Sequence, residues 1–258
     1  MPASRATIAL ALPALALALL GSADGALARR THRRPPPVAH PRPACEASRG
    51  CRELVLTAVG APALSDASAA RLVHRVGWEP RPDNAAANAH AMSALELAYF
   101  RSHSTMPYRD RVTGHYRGTT DEIIQWAAHK HGLSVDLLRA VAVVESWWHM
   151  STRGDNGDSF GLYQIRRPYH CCPAFAAHST AFNADYYGAI IRSYYDGTQG
   201  WLNTVSGNTR SYAAGDLWGS VGAWASGRWH DARAESYVAS VKSALSKRTW
   251  ESADFAHG

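Results

Sequence analysis

The sequence predicts a mainly α-helical fold with an N-terminal extension. Helix caps stand at the correct distance before apolar runs, and apolar residues recur at helical spacing through the second half. No segment shows apolar–polar alternation over several residues, so strands are not expected. Hydrophobic residues make up 46% of the 258 and charged residues 19%, enough apolar material for a core and too little charge for a disordered chain. No internal repeat of useful length occurs.

Residues 1–28 read as a secretory signal peptide. Arg5 precedes the apolar run Ala6–Leu20, Pro13 interrupts it, and Ala26-Leu27-Ala28 resembles a cleavage site. The run is short for a bilayer span, and no later segment is long and apolar enough for a transmembrane helix. An exported protein is expected, secreted, periplasmic or at the cell envelope. Residues 29–44, rich in Pro and Arg, read as an extended, solvated linker, either a plain spacer or an electrostatic tether. Residues 45–118 read as an extension packing on the main domain, with helical stretches at Ala67–Val76 and Ala85–Phe100 around a turn-rich break at 78–84.

The main domain, 119–250, opens with a capping box: Thr119 as N-cap and Glu122 three residues later. Ile123, Ile124, Ala127 and Ala128 follow at helical spacing, and Gly132 stands where such helices end. Ser134 is the expected cap of the next helix, and Asp136 suits its first turn. Leu137, Leu138, Val141, Val144 and Trp148 mark one face of it, and Ala140, Ala142 and Val143 make it apolar nearly all round, as in a buried helix. Asn183–Tyr195, Ser220–Trp224 and Ala232–Arg248 also read as helical. His129 and His131 read as the solvated side of their helix.

Net charge is +6, carried mostly by Arg. A polyanionic partner fits this balance, but there is no zinc-finger spacing, RNP-type segment or long basic helix. Anionic cell-wall polymers are the expected partner class, and nucleic acid is not. The thirteen histidines show no HExxH spacing, and no phosphate-binding glycine loop is present, so neither a metal nor a cofactor is implied. Ser159 and Ser226 lack the Gly-x-Ser-x-Gly elbow. The cysteines, Cys45, Cys51, Cys171 and Cys172, allow three pairings. A cross-pairing that staples the N-terminal segment to the main domain is favoured; a local Cys45–Cys51 loop, with the adjacent pair free or vicinally bonded, is the alternative.

The chemistry concentrates in Glu145–Ile165, ESWWHMSTRGDNGDSFGLYQI. Glu145 lies one helical turn after Val141 and two after Leu137, so it projects from an apolar face. Burial there would keep its carboxyl protonated near neutral pH, as a general acid requires. A buried ion pair with an arginine is the competing reading. Asp155, Asp158 and Gln164 favour a polar cleft instead, and nine Trp and eleven Tyr supply material for one that binds sugars.

Glu145-Ser146, Gly154-Asp155 and Ser159-Phe160-Gly161-Leu162-Tyr163-Gln164-Ile165 resemble the signature of the lysozyme-like fold of soluble lytic transglycosylases and goose-type lysozymes. The similarity covers about half the chain, from Thr119 to Arg248. It implies that Glu145 is the acid/base, that Ser146, Ser159, Gly161, Tyr163 and Gln164 belong to the cleft, and that Asn183 opens the next helix. It also implies that Tyr237 orients the acid. The family's A-Y-N-x-G element stands here as Ala223-Trp224-Ala225-Ser226-Gly227, which keeps an aromatic at Trp224 and loses an amide at Ala225; Ser226 is the candidate to compensate. Goose-type enzymes hold a water with acids near the catalytic Glu. Asp155 matches one such position and equally suits a turn, GDNGD, whereas Arg166 follows Gln164-Ile165 in place of an acid. The resemblance therefore implies cleavage of peptidoglycan glycan strands by a lytic transglycosylase with one carboxyl. A hydrolytic muramidase using Asp155, and a wall-binding scaffold without activity, remain as alternatives.

Overall fold

The computed structural model describes residues 54–257. The signal peptide and linker expected at 1–44, together with Cys45 and Cys51, lie outside the described residues. The fold is mainly α-helical. Ten α-helices occur among the described residues: α1 (Asp66–Ala70), α2 (Ala85–Ala89), α3 (Ala94–His103), α4 (Thr120–His131), α5 (Val135–Ser146), α6 (Pro173–His178), α7 (Thr180–Tyr195), α8 (Leu217–Ser226), α9 (Ala232–Lys247) and α10 (Ala253–His257). None is long and apolar enough to cross a membrane.

Local chemistry sets the helix bounds. Thr119 and Glu122 form the expected capping box, and Gly132 closes α4 in the left-handed region (φ 63°). Ser134 stands at the N-cap of α5, but its side chain makes no capping bond; separately, its backbone N–H donates to Leu54 O. Asp216 and Asp231 cap α8 and α9 through their side chains.

Five helices form a closed circuit of contacts: α4 packs on α7, α7 on α8, α8 on α9, α9 on α5, and α5 on α4. α7 is buried along nearly its whole length and acts as the hub. Gly188 lets α4 approach it, since a Cβ there would lie 2.5 Å from the His131 ring. Asp185, on the same helix, is buried and accepts from Lys130 Nζ (2.7 Å), His131 Nε2 (2.7 Å) and the Thr113 and Gly114 N–H groups. Although burial opposes ionisation, Lys130 and His131 hold the Asp185 carboxyl well below its usual range. His131 is thus interior, not on a solvated face, and His129 is half-buried.

Residues 54–118 wrap these helices through backbone and side-chain bonds. Leu56 and Leu64 N–H donate to Gly132 and Lys130 carbonyls, and Glu79 receives Thr120 N–H at 2.7 Å. The helix expected over Ala67–Val76 stops at Ala70, because Gln125 takes both backbone groups of His74. The stretch expected to run from Ala85 to Phe100 breaks at 90–93, where His90 O accepts from Ser179, Met92 N–H donates to Gly114 O, and Ser93–Glu96 begin a new capping box.

The chain after α5 turns through two consecutive left-handed residues, Trp147 (φ 54°) and Trp148 (φ 66°). Arg81 Nε donates to Trp147 O at 2.8 Å, and Asn84 Nδ2 donates to Trp148 O at 2.8 Å. Phe255 of α10 packs on both indoles at just over 5 Å. A three-stranded antiparallel sheet follows: β1 (Arg153–Gly154), β2 (Ser159–Phe160) and β3 (Ile165–Arg166), with Gly154 opposite Ser159 and Ser159 opposite Arg166. Two-residue strands are too short to leave an alternation in the sequence.

Candidate active site

Glu145 occupies the next-to-last position of α5, at the junction of α5, α8 and α9. Its Oε1 accepts from Trp224 Nε1 of α8 at 3.0 Å and from the Tyr237 hydroxyl of α9 at 2.5 Å. Among the described residues, Oε2 has no hydrogen-bond partner and no arginine or lysine pairs with the carboxyl. The competing reading of a buried ion pair therefore does not hold. Glu145 is partly buried, and burial pushes its carboxyl up to about 7. The Tyr237 and Trp224 bonds pull it back, and the Asp155 charge adds to the rise. Burial and the adjoining Glu145 charge keep the Tyr237 phenol protonated, so it remains a donor.

Trp224 is half-exposed and held from two sides. Its ring stacks on His170 (centroids 5.0 Å, 22°) and meets Tyr187 edge-on at 5.2 Å. Tyr187 in turn stacks on Tyr163 at 4.3 Å. An aromatic series thus runs from the interior to the acid. Burial lowers the His170 imidazole to about 4, leaving it neutral, and its Nδ1 lies 3.0 Å from the Tyr186 hydroxyl. His170 carried no signal in the sequence beyond being one histidine of thirteen. Next to it, Tyr169 is exposed, and Cys171 is joined to Cys172. That bond corrects the expected cross-pairing: Cys172 sits in the left-handed region (φ 69°), and the turn brings the two neighbouring sulfurs side by side.

Several residues of the signature frame the hairpin rather than face a cleft. Ser146 is buried, its hydroxyl donating to Leu162 O at 2.8 Å. Gln164 accepts from Gly154 N–H at 2.8 Å and donates to Gly161 O at 2.7 Å. Asn183, fully buried in the first turns of α7, accepts from Tyr163 N–H and donates to Phe160 and Ala176 carbonyls, all within 2.9 Å. Ser179, not Asn183, caps that helix. Tyr163 is buried with its hydroxyl on Leu138 O at 3.1 Å. Gly161 has φ 73°, and a Cβ there would lie 2.5 Å from Asn183 Nδ2 and 2.6 Å from Ala176 O. This lattice fixes the path of the hairpin beside Glu145. It was hidden in the sequence because nothing there says whether a polar side chain faces backbone or solvent.

Asp155 is exposed, with a left-handed backbone (φ 48°). Its Oδ2 accepts from Ser159 Oγ at 2.6 Å and lies 3.4 Å from Arg166 Nε. Ser226 closes α8 against the Arg228 backbone, so its hydroxyl is engaged away from the acid. Among the described residues no cluster of His, Cys, Asp or Glu suits a metal ion.

The fold and site together define a mainly α-helical protein with one protonatable carboxyl held by two neutral donors at a three-helix junction. Comparison with known proteins adds no relative: no family model, no curated protein and no solved structure matches the chain.

Proposed function

We propose that this protein is an exported, lysozyme-like lytic transglycosylase. Its substrate would be peptidoglycan, cut at the β-1,4 bond between N-acetylmuramic acid and N-acetylglucosamine, with Glu145 as single acid and base. The observation that carries this reading is the Glu145 carboxyl, raised to about 7 by burial and bonded, among the described residues, to the neutral donors Tyr237 and Trp224. A group titrating near neutrality can both give and take a proton in one cycle.

In the proposed reaction, Glu145 protonates the glycosidic oxygen as the bond from the muramyl C1 breaks. The resulting carboxylate then takes the proton of the muramyl C6 hydroxyl while that oxygen closes onto C1, giving a 1,6-anhydro end. The bonds from Tyr237 and Trp224 strengthen as Glu145 ionises, because hydrogen bonds to a charged acceptor are the stronger kind. They favour the intermediate over the ground state, which is the direction catalysis needs. The half-exposed Trp224 and exposed Tyr169 offer aromatic faces for sugar rings. The basic balance of the chain suits anionic wall polymers.

Mass spectrometry of peptidoglycan digested by the purified protein tests the proposal. Anhydromuramyl ends, abolished by Glu145→Gln, are the expected result. Reducing ends would instead establish the hydrolytic muramidase, a reading favoured by one observation: the Asp155 charge is felt at Glu145. Absence of any released muropeptide would leave a wall-binding scaffold.

A further inference from the structure

We propose that Arg166 decides the fate of the cleaved glycosyl unit by engaging Asp155, so that ring closure prevails over attack by water. This inference rests on the transglycosylase reading above and adds a positioning residue to it. Ser159 and Arg166 are directly paired across β2 and β3, so their side chains share one face of the hairpin. Asp155 follows Gly154, which is paired with Ser159 on the other side. The three converge on a single atom: Asp155 Oδ2 accepts from Ser159 Oγ at 2.6 Å and lies 3.4 Å from Arg166 Nε.

Arg166 has little other employment. Its guanidinium lies over the Tyr169 ring, 5.4 Å from the centroid, and its Nε is buried without a hydrogen bond. The hairpin is stitched to the residue after Glu145 from both sides, by Thr152 Oγ1 to Ser146 O at 3.3 Å and by Ser146 Oγ to Leu162 O at 2.8 Å. Asp155 lies on this tethered hairpin and its charge is felt at Glu145, and Arg166 is the cation paired with it. Both side chains are a little over a third exposed, and an open pair of this kind contributes little by itself. A glycan lying across the hairpin excludes water from the pair and strengthens it.

The consequence is chemical. Once the bond from C1 to the glycosidic oxygen has broken, with the proton passed from Glu145 to the leaving oxygen, two oxygens can reach C1. The C6 hydroxyl oxygen can close on it, returning its proton to Glu145. Alternatively a water oxygen can bond to C1, its proton passing to a second carboxylate. The second route needs a carboxylate free to hold the water. Asp155 has one oxygen taken by the Ser159 hydroxyl and faced by the Arg166 cation, so it is not free to hold that water.

The test is the ratio of anhydro to reducing ends released from peptidoglycan by the full chain, compared for wild type, Arg166→Gln, Arg166→Met, Arg166→Lys, Asp155→Asn and Arg166→Gln/Asp155→Asn. Anhydro ends from the wild type keep the transglycosylase reading; reducing ends alone, or no products, overturn that reading whatever the variants do. With anhydro ends established, Arg166→Gln and Arg166→Met are expected to raise the reducing-end fraction by roughly tenfold, the scale of one charge-assisted contact in a partition between two barriers. Lysine should keep the wild-type ratio, and adding Asp155→Asn to Arg166→Gln should restore it. An unchanged ratio in Arg166→Gln and Arg166→Met, even at a lower total rate, overturns the proposal and leaves Arg166 a structural role. If neither variant folds, Asp155→Asn decides: an unchanged ratio supports an Asp155 already withheld from catalysis, and a loss of reducing ends refutes it.

Discussion

Replacing Glu145 by Gln should stabilise the protein while removing its proposed activity, and the gain should depend on pH in one direction. The amide oxygen of Gln can accept the Tyr237 and Trp224 bonds that Glu145 Oε1 accepts, so the packing of the junction is kept. What changes is ionisation. The folded carboxyl titrates at about 7 against 4.5 for an ordinary glutamate. Below pH 4.5 both folded and unfolded forms carry the proton, and the wild type and variant should differ little. Between pH 4.5 and 7 the unfolded chain ionises first, so the wild type loses stability as pH rises; above 7 the loss levels off. At 1.36 kcal/mol per pH unit the full span corresponds to about 3.4 kcal/mol, which partial exposure of the group reduces to about 2–3 kcal/mol. For a domain of this size that is a rise in Tm of about 5–10 °C at pH 8, shrinking towards zero at pH 4. Thermal melts of both proteins from pH 4 to 8 measure it directly. A gap that stays flat across that range, or a wild type more stable at pH 8, would refute the assignment of Glu145 as a destabilised acid.

The remaining predictions concern the surroundings of that acid. Tyr237→Phe removes a donor that favours the charged form, so the alkaline limb of the activity profile should move up by about 1 pH unit, the scale of a hydrogen bond to a charged group. A profile that keeps its position while the rate falls would assign Tyr237 to packing alone. Gly161→Ala places a methyl against Asn183 and the Ala176 carbonyl at a positive φ, and should lower stability by about 2–4 kcal/mol in chemical denaturation. Asp185→Asn leaves Lys130 buried with only Asp66 as a carboxylate partner, and should lower stability by about 3–5 kcal/mol at neutral pH. Because the folded Asp185 carboxyl lies below its unfolded value, that deficit should be largest above about pH 4 and shrink in more acid solution.

The helical framework was readable where local chemistry decides it. Thr119, Glu122 and Gly132 bound α4 through bonds within four residues of each other, and the apolar belt of α5 needs only its period. The expectation failed where a distant group captures the backbone. Gln125 ends α1, and Ser179 and Gly114 interrupt the stretch after Ala85. At the site, Glu145, Trp224 and Tyr237 come from three helices, and the structure brings them within hydrogen-bonding distance. Gln164, Asn183 and Ser146 stand out in the sequence as polar residues of the signature, but their work on backbone carbonyls and amides depends on a hairpin whose strands are two residues long. His170 needed the fold altogether, because its meaning lies in the ring of Trp224.

The turn after Glu145 sets a condition on how small this protein can be made. Two consecutive tryptophans in the left-handed region each cost about 1–2 kcal/mol and persist only where their surroundings leave no alternative. Here those surroundings come from both ends of the described chain: Arg81 and Asn84 hold the carbonyls, and Phe255 covers the rings. A fragment cut to the helices between 119 and 250 would contain every residue proposed for chemistry yet lack both restraints. The acid's position is therefore a property of the whole folded unit, and grafting α5 alone onto another scaffold would transfer a glutamate without its orientation.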